Sequence, residues 1–357
     1  MKRSRMRLWV LLALGPVSAW AQGFAGLGEE AEDYAPVVRG VAVALPGDHA
    51  AHPDFRIEWW YLTANLRGSD GSDYGVQWTL FRNAVVPGAD AAGDGGWESP
   101  QLWMAHAAAT SAETHRAAER FARGGVGQAG VESEGGFRAW LDDWRLVSLA
   151  GPGDPLSRAR MRASGEGFAF DLALQATGPF VRHGEAGFSL KSERGQASYY
   201  YSQPFYRAAG TLTLEGETIP VVGEAWMDRE WSSQPMAADQ TGWDWFSLAF
   251  EDGARAMLYR FRQEGGDAFA GTWIEPDGTS AAIPEAGVAM EPTAWAEAAG
   301  TETPVRWRIA LPGRGVEIET RPLNPQAWNA LSIPYWEGPV FFDGTHRGRG
   351  YLEMTGY

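Results

Sequence analysis

The chain has 357 residues, more than twice the ~150 of a typical domain, so two medium-sized domains are expected. Apolar residues make up 45% and charged residues 21%, globular values that exclude disordered and fibrous architectures, and the absence of cysteine excludes disulfides, thiol nucleophiles and thiolate metal sites. A formal charge of −15 argues against polyanionic partners such as nucleic acid or an anionic lipid surface.

At the N-terminus Lys2, Arg3, Arg5 and Arg7 precede the apolar run Leu8–Leu14 and then Ala19-Trp20-Ala21. This pattern predicts a secretory signal peptide, residues 1–21, cleaved after Ala21, and so a periplasmic or secreted protein. The apolar run is far shorter than the ~20 residues a spanning helix needs, and no later segment is a candidate span. Residues 22–56 are rich in Gly, Pro and Ala without periodic pattern, and are expected to wrap as a leader onto the surface of the first domain. Within it, His49 and His52 are expected to be solvated surface residues rather than metal ligands.

From Ile57 onward the chain reads as β structure, because 45 glycines and 21 prolines interrupt it too often for long helices. Ile57–Arg67 and Tyr74–Asn83, joined by Gly68-Ser69-Asp70-Gly71-Ser72-Asp73, predict a hairpin. Further strands are predicted over Gln101–Ala109, Ala139–Leu149, Phe168–Leu174, Ser198–Tyr206, Thr211–Leu214 and Ile219–Met227, then over Trp243–Phe250, Arg255–Phe261, Val305–Ile309 and Val316–Thr320. Ala112–Ala122 alone reads as a helix. The chain's only lysines are Lys2 and Lys191, and neither follows a Gly-x-x-x-x-Gly run, so a phosphate-cradling loop is absent.

The chain also repeats itself once. Glu58-Trp59-Trp60-Tyr61-Leu62, an Asp70-Gly71 turn and Leu80-Phe81-Arg82 are echoed by Trp243-Asp244-Trp245-Phe246-Ser247, an Asp252-Gly253 turn and Arg260-Phe261-Arg262. Gly223-Glu224-Ala225-Trp226-Met227-Asp228 is echoed by Gly348-Arg349-Gly350-Tyr351-Leu352-Glu353. Two β domains, 57–234 and 235–357, whose first and last strands pair to close a barrel, account for both echoes.

The residues resemble those of the AttH-like and carotenoid 1,2-hydratase-like proteins, in segments spread over most of the chain. These are His52-Pro53 with Glu58-Trp59-Trp60-Tyr61, then His106, Asp143-Trp144, Tyr199-Tyr200-Tyr201-Ser202, Gly223–Trp231, Gly242–Phe246, Tyr335-Trp336-Glu337-Gly338 and Gly350–Tyr357. The resemblance implies an all-β fold of two tandem lipocalin-like barrels side by side. Its members include carotenoid and isoflavonoid hydratases, fungal cyclases that look like Diels–Alder catalysts, and secreted proteins called hydrolases. It also implies an association with an inner-membrane permease of the ABC type. The hydrolase label has no motif behind it here, since neither a Gly-x-Ser-x-Gly elbow nor a His-Glu-x-x-His pair occurs.

Candidate chemistry centres on Asp228-Arg229-Glu230-Trp231, just past the strand that closes the first domain. Two carboxylates beside a guanidinium either hold one proton as a general acid or are both paired by Arg229 to lock the domain interface. Glu58 is either a buried acid at the ligand or a salt-bridge partner, and His106 either an acid or base or a hydrogen-bonded core residue; Tyr335 and Glu337 stand beside them. Most of the 18 tryptophans are expected to fill cores. Neighbouring residues of a strand nevertheless face opposite ways, so Trp59 and Trp60, Tyr61, Trp243 with Asp244, Trp245 and Tyr200 must present some rings outward, where two barrels could enclose an aromatic pocket. Such a pocket suits an apolar isoprenoid, polyene or acyl ligand. Three uses are open: a hydratase in which Asp228, or else Glu230 or Glu58, protonates a C=C bond, a non-catalytic carrier, and a cyclase acting by proximity. No cofactor or metal is called for.

Overall fold

The computed structural model describes residues 27–28, 31–88 and 96–357; the segment Met1–Ala21 lies outside them. The first sheet is built from β1 (Ile57–Gly68), β2 (Asp73–Ala84), β3 (Gln101–Thr110), β4 (His115–Arg123), β5 (Ala129–Glu132), β6 (Arg138–Leu141), β7 (Trp144–Ser148), β8 (Arg158–Gly165), β9 (Phe168–Ala176), β10 (Val181–Arg182), β11 (Phe188–Leu190), β12 (Ala197–Leu214) and β13 (Glu217–Ser232). The second holds β14 (Gln240–Phe250), β15 (Arg255–Gln263), β16 (Ala268–Ile274), β17 (Ser280–Ile283), β18 (Ala289–Ala298), β19 (Thr301–Leu311), β20 (Val316–Pro322), β21 (Trp328–Asn329), β22 (Tyr335–Gly344) and β23 (Gly348–Thr355). Each sheet curls into a nearly closed lipocalin-like barrel, and the two lie side by side. Among the described residues no helix is long and apolar enough to cross a membrane.

The two sheets share one plan. Their strand orders are β4-β3-β2-β1-β13-β12-β9-β8-β7-β6-β5 and β17-β16-β15-β14-β23-β22-β20-β19-β18. First and last strands of each sheet pair antiparallel, as the internal repeat predicts, with Tyr61 opposite Asp228 and Trp245 opposite Glu353. That register equates Trp59 with Trp243 and Tyr61 with Trp245, one residue away from the block alignment that set Glu58 on Trp243. The pairing of β1 with β13 lies in the middle of the sheet, and the seam of each barrel falls instead after its fourth strand, between β4 and β5 and between β17 and β18.

Three local expectations are corrected. Ala112–Ala122 is not helical: His115–Arg123 is edge strand β4, paired with β3 from Thr110 opposite His115 to Leu102 opposite Arg123. Helix propensity in His-Arg-Ala-Ala-Glu-Arg is weak beside a neighbouring strand's unpaired amides, and the charges on this edge protect it from pairing with other chains. Ala139–Leu149 is two strands, turned at Asp142 with φ 55°. His49 is fully buried, with Nδ1 2.6 Å from Tyr201 Oη and Nε2 3.0 Å from Asp154, while the His52 ring stacks on Trp231 at 4.0 Å. The segment around them packs into the first barrel through Val43, Leu45 and Phe55 rather than lying only on its surface.

Strand alternation sorts the side chains. Trp60, Leu62 and Ala64 of β1 join Trp78, Leu80, Trp103 and Met227 inside the first barrel, and Phe246, Leu248, Leu258, Trp336 and Leu352 fill the second. The opposite faces of β1, β13, β14 and β15 meet between the barrels, where Tyr61, Tyr200, Trp226, Trp245, Tyr259, Phe261 and Tyr351 form a third cluster. The approach is close at Gly75 of β2, where a Cβ would stand 2.1 Å from Pro339 Cγ and 2.8 Å from Tyr351 Oη of the other barrel. Gly75→Val is therefore expected to lower stability by about 1–3 kcal/mol in urea unfolding, whereas Gly47→Ala, with open space around it, leaves the midpoint unchanged. Equal midpoints for the two variants would show that the barrels do not touch there.

Candidate functional site

Between the barrels lies a cavity of about 360 Å³. Its walls come from the outward faces of both sheets: Trp59, Tyr61, Phe81, His106, Asp228 and Glu230 on one side, Trp243, Trp245, Tyr259, Phe261, Tyr335 and Glu353 on the other, with Lys191 beside Glu230. Met236 of the connection between the sheets and Ile333 of the loop before β22 complete the lining.

Asp228 is the central group. Tyr200 Oη donates to its Oδ2 at 2.7 Å, Trp226 Nε1 donates to its Oδ1 at 2.6 Å, and Ser202 Oγ donates to the same Oδ1. Tyr200 in turn accepts from Trp245 Nε1 at 3.3 Å, and the His183 ring bridges Ser202 Oγ at 2.6 Å and Thr272 Oγ1 at 2.9 Å, so both barrels hold the carboxyl in place. Burial pushes Asp228 up to about 7 against these three donors, and the neighbouring Glu230 carboxylate adds to the rise. No Arg or Lys forms an ion pair with it among the described residues. Glu230, by contrast, is ion-paired with Lys191 Nζ at 2.8 Å, and that ammonium lies over the rings of Tyr200 and Tyr259 at 4.7 and 4.4 Å.

Glu353 occupies the same place in the second sheet that Asp228 has in the first, opposite Trp245 as Asp228 is opposite Tyr61. Trp243 Nε1 donates to it at 2.6 Å, and burial, with Asp228 and Glu230 adding, pushes it up to about 7. At the other end of the cavity His106 Nδ1 stands 3.0 Å from Tyr335 Oη. Burial lowers His106 to about 4, so the imidazole is neutral at pH 7. Among the described residues no three His, Asp or Glu side chains converge as a metal-binding group.

The sequence candidates divide by strand face. Asp228, Glu230, His106, Trp59, Tyr61, Trp243, Trp245 and Tyr335 line the cavity. Tyr200 and Glu337 stand behind it, Glu337 accepting from Tyr61 Oη at 2.6 Å. Glu58, Trp60, Arg229, Trp231 and Asp244 have the opposite parity and point into the barrels. There Glu58 is gripped by Arg82 and Arg229, with its carboxylate also accepting from the His52 amide at 3.0 Å. Arg229 lies 3.8 Å over the Trp60 ring. Burial raises the Glu58 carboxyl, but Arg229 and Arg82 outweigh it and hold it well below the usual carboxylate range. Glu58 is thus a fixed anion of the core, and Arg229 locks it rather than Asp228 or Glu230. Asp244 is its counterpart, paired with Arg262 at 2.6 Å and Arg260 at 3.4 Å and bonded by Tyr357 Oη at 2.8 Å. Among the titratable groups of the cavity, three escaped the sequence reading: Tyr259, Glu353, signalled by its alignment with Asp228 in the repeat, and Lys191, a lone lysine among the arginines downstream of the N-terminal segment.

This fold belongs to a known class. The sequence matches the AttH-like family over residues 36–357, and the chain belongs to that family. An AttH protein of Nitrosomonas europaea, solved as a crystal structure, is 33% identical and superposes with a TM-score of 0.79 over 90% of this chain and 99% of its own. Kievitone hydratase from Nectria haematococca has the same fold at 17% identity and a TM-score of 0.67, covering 90% of this chain and 96% of its own. CghA has it at 13% identity and 0.55, covering 84% and 88%. No curated protein matches.

Two substitutions are expected to move stability in opposite directions. Glu58→Gln leaves two buried guanidiniums without their anion and costs about 3–5 kcal/mol near pH 7. Because the folded value of Glu58 lies below its unfolded ~4.3, its contribution is complete above that pH and fades as acid is added. Asp228 has its folded value raised above an unfolded ~3.9, so the native state binds the extra proton and wild-type stability falls as pH rises through that window to about 7. Asp228→Asn removes this loss, and a gain on the order of 1–3 kcal/mol is expected at pH 8 with little change at pH 4. Urea unfolding of both variants across this range checks the signs, and a destabilised Asp228→Asn at pH 8 would refute the assignment of a proton to Asp228.

Proposed function

We propose that the protein adds water to a carbon–carbon double bond of an apolar, isoprenoid-like ligand bound between the barrels. The observation that carries this reading is Asp228, a buried carboxyl raised to about 7, without an ion-pair partner among the described residues, in the wall of an aromatic cavity. A carrier requires no titratable group in its pocket, whereas an acid catalyst requires one that is protonated near neutral pH and within reach of the ligand. The hydratase among the proteins of like fold supports the same chemistry.

In the reaction the Asp228 proton is delivered to one alkene carbon and the π electrons form the new C–H bond, leaving a cation on the adjacent carbon. The faces of Trp59, Trp243, Trp245 and Tyr259 stabilise that cation. Tyr200, Ser202 and Trp226 already point their donors at the carboxylate that remains, so little reorganisation accompanies proton transfer. Water adds to the cation and loses one proton, giving an alcohol and restoring the proton inventory of the site. At about 360 Å³ the cavity lies near the small end of the ~300–1,000 Å³ usual for ligand sites, so it takes the reactive end group of an isoprenoid rather than a whole long polyene.

Export to the periplasm through the Met1–Ala21 signal and cooperation with an inner-membrane permease are parts of the same proposal, resting on the sequence pattern and the resemblance. The test is turnover of geraniol, farnesol and a prenylated phenol in H₂¹⁸O, with products read by mass spectrometry. The wild type is expected to incorporate one ¹⁸O, and Asp228→Asn to lose about 10²–10⁴-fold in rate while still quenching tryptophan fluorescence on ligand binding. Full turnover by a folded Asp228→Asn would overturn the acid assignment, and tight binding without turnover by the wild type would favour the carrier.

A further inference from the structure

The water that captures the cation must lose a proton as Asp228 gives one up, and a second carboxylate in the cavity can take it when water attacks away from Asp228. We propose that Glu353 is that group, the base that activates the attacking water, so that the internal duplication of the chain supplies an acid from one barrel and a base from the other. The proposal rests on the hydratase reading of Asp228.

Geometry supports it. Asp228 and Glu353 are repeat-equivalent residues on the last strand of their sheets, each on the outward face, each lining the same cavity and each held by an indole N–H, from Trp226 and Trp243 respectively. Glu353 has no ion-pair partner among the described residues, and the cavity's lysine is engaged by Glu230. The remaining candidates serve less well. Glu230 is bound to Lys191, Glu337 stands behind the wall under Tyr61, and His106 sits at the Tyr335 end. The titratable groups facing Glu353 are Asp228 and Glu230 of β13, Tyr61 of β1, Tyr259 of β15, and Tyr335 and Glu337 of β22. The Asp228 carboxylate raises Glu353, so a proton on one favours an ionised partner, which is the state an acid–base couple requires.

In each turnover the proton of Asp228 forms the C–H bond, water forms the C–O bond, and the proton released by water goes to Glu353. Return of that proton to Asp228 resets the pair, and no other reactant is consumed.

The first test needs no ligand: infrared titration of the buried carboxyl stretches in the full-length wild type, Asp228→Asn and Glu353→Gln. Glu353→Gln is expected to remove one titrating carboxyl and move the Asp228 midpoint down by about 1 pH unit; an Asp228 midpoint that does not move would overturn the coupling. Should Glu353→Gln fail to fold, Trp243→Phe, which deletes the indole donor and leaves the carboxyl, is expected to move the Glu353 midpoint up, and an unmoved midpoint counts against the proposal. The second test uses the alkene that the wild type hydrates, in D₂O. Asp228→Asn is expected to lose both hydration and deuterium exchange into recovered alkene. Glu353→Gln is expected to lose about 10²-fold in hydration while still exchanging deuterium, and its rate no longer falls on the acid side. Full hydration by Glu353→Gln with an inactive Asp228→Asn would refute the base and leave the acid standing, whereas full activity of Asp228→Asn would refute the reading on which both rest.

Discussion

Neighbouring residues of a β-strand point to opposite faces, and along β13 this rule separates charges that are adjacent in sequence. Asp228 and Glu230 look out into the space between the barrels, while Arg229 looks inward to Glu58 and the Trp60 ring. A guanidinium one residue from a carboxylate is therefore no partner to it at all. The inward side becomes a dense ion cluster in which Arg82 and Arg229 share Glu58, and on the outward side Lys191 pairs with Glu230 while Asp228 is hydrogen-bonded by the neutral donors of Tyr200, Ser202 and Trp226.

The division has force because the cavity is built from two barrels. A single sheet of this size has one face on its own core and one face toward solvent, and a carboxyl on the solvent face would remain an ordinary hydrated anion. Docking the second sheet takes the carboxyl out of bulk solvent. It also adds hydrogen bonds: Trp245 donates to Tyr200, which is bonded to Asp228, and Thr272 holds His183, which in turn holds the Ser202 hydroxyl that is bonded to Asp228. Gly75 and Pro339 set how closely the walls approach. The acid is thus a property of the pair of domains, and neither repeat carries it alone.

Much of this was legible in the sequence, and the illegible part has a physical reason. The Trp-rich hairpins, the pairing of first with last strands and an aromatic pocket made from outward faces follow from period-two alternation and from the internal repeat. Which rings face outward does not, because Trp59 and Trp60 satisfy the alternation equally well until the partner strand fixes parity; Trp60, Trp231 and Asp244, expected at the ligand, are buried away from it, Trp60 in the first core, Trp231 against Val43 and Tyr199, and Asp244 between Arg260 and Arg262. Arg229 was open between two roles, and only its inward direction decides between them. His49 and His52 read as solvated residues of a loop because their partners, Tyr201, Asp154 and Trp231, lie far away in sequence. Glu353 was visible as the echo of Asp228, but its chemistry emerges only when the barrels turn the two last strands toward each other.

The contrast between Glu58 and Asp228 bears on whether the site is catalytic. Wherever this fold buries a carboxylate inside a barrel it surrounds it with arginines: Glu58 has Arg82 and Arg229, and Asp244 has Arg260 and Arg262. Among the described residues the cavity acids Asp228 and Glu353 receive no arginine, only N–H and O–H donors. An unpaired buried carboxyl weakens the folded state above neutral pH, and an amide or an apolar residue would bind a greasy ligand at least as well. A ligand carrier draws no benefit from that arrangement. A catalyst does, because a proton held near its point of exchange at neutral pH is what addition of water to an alkene requires.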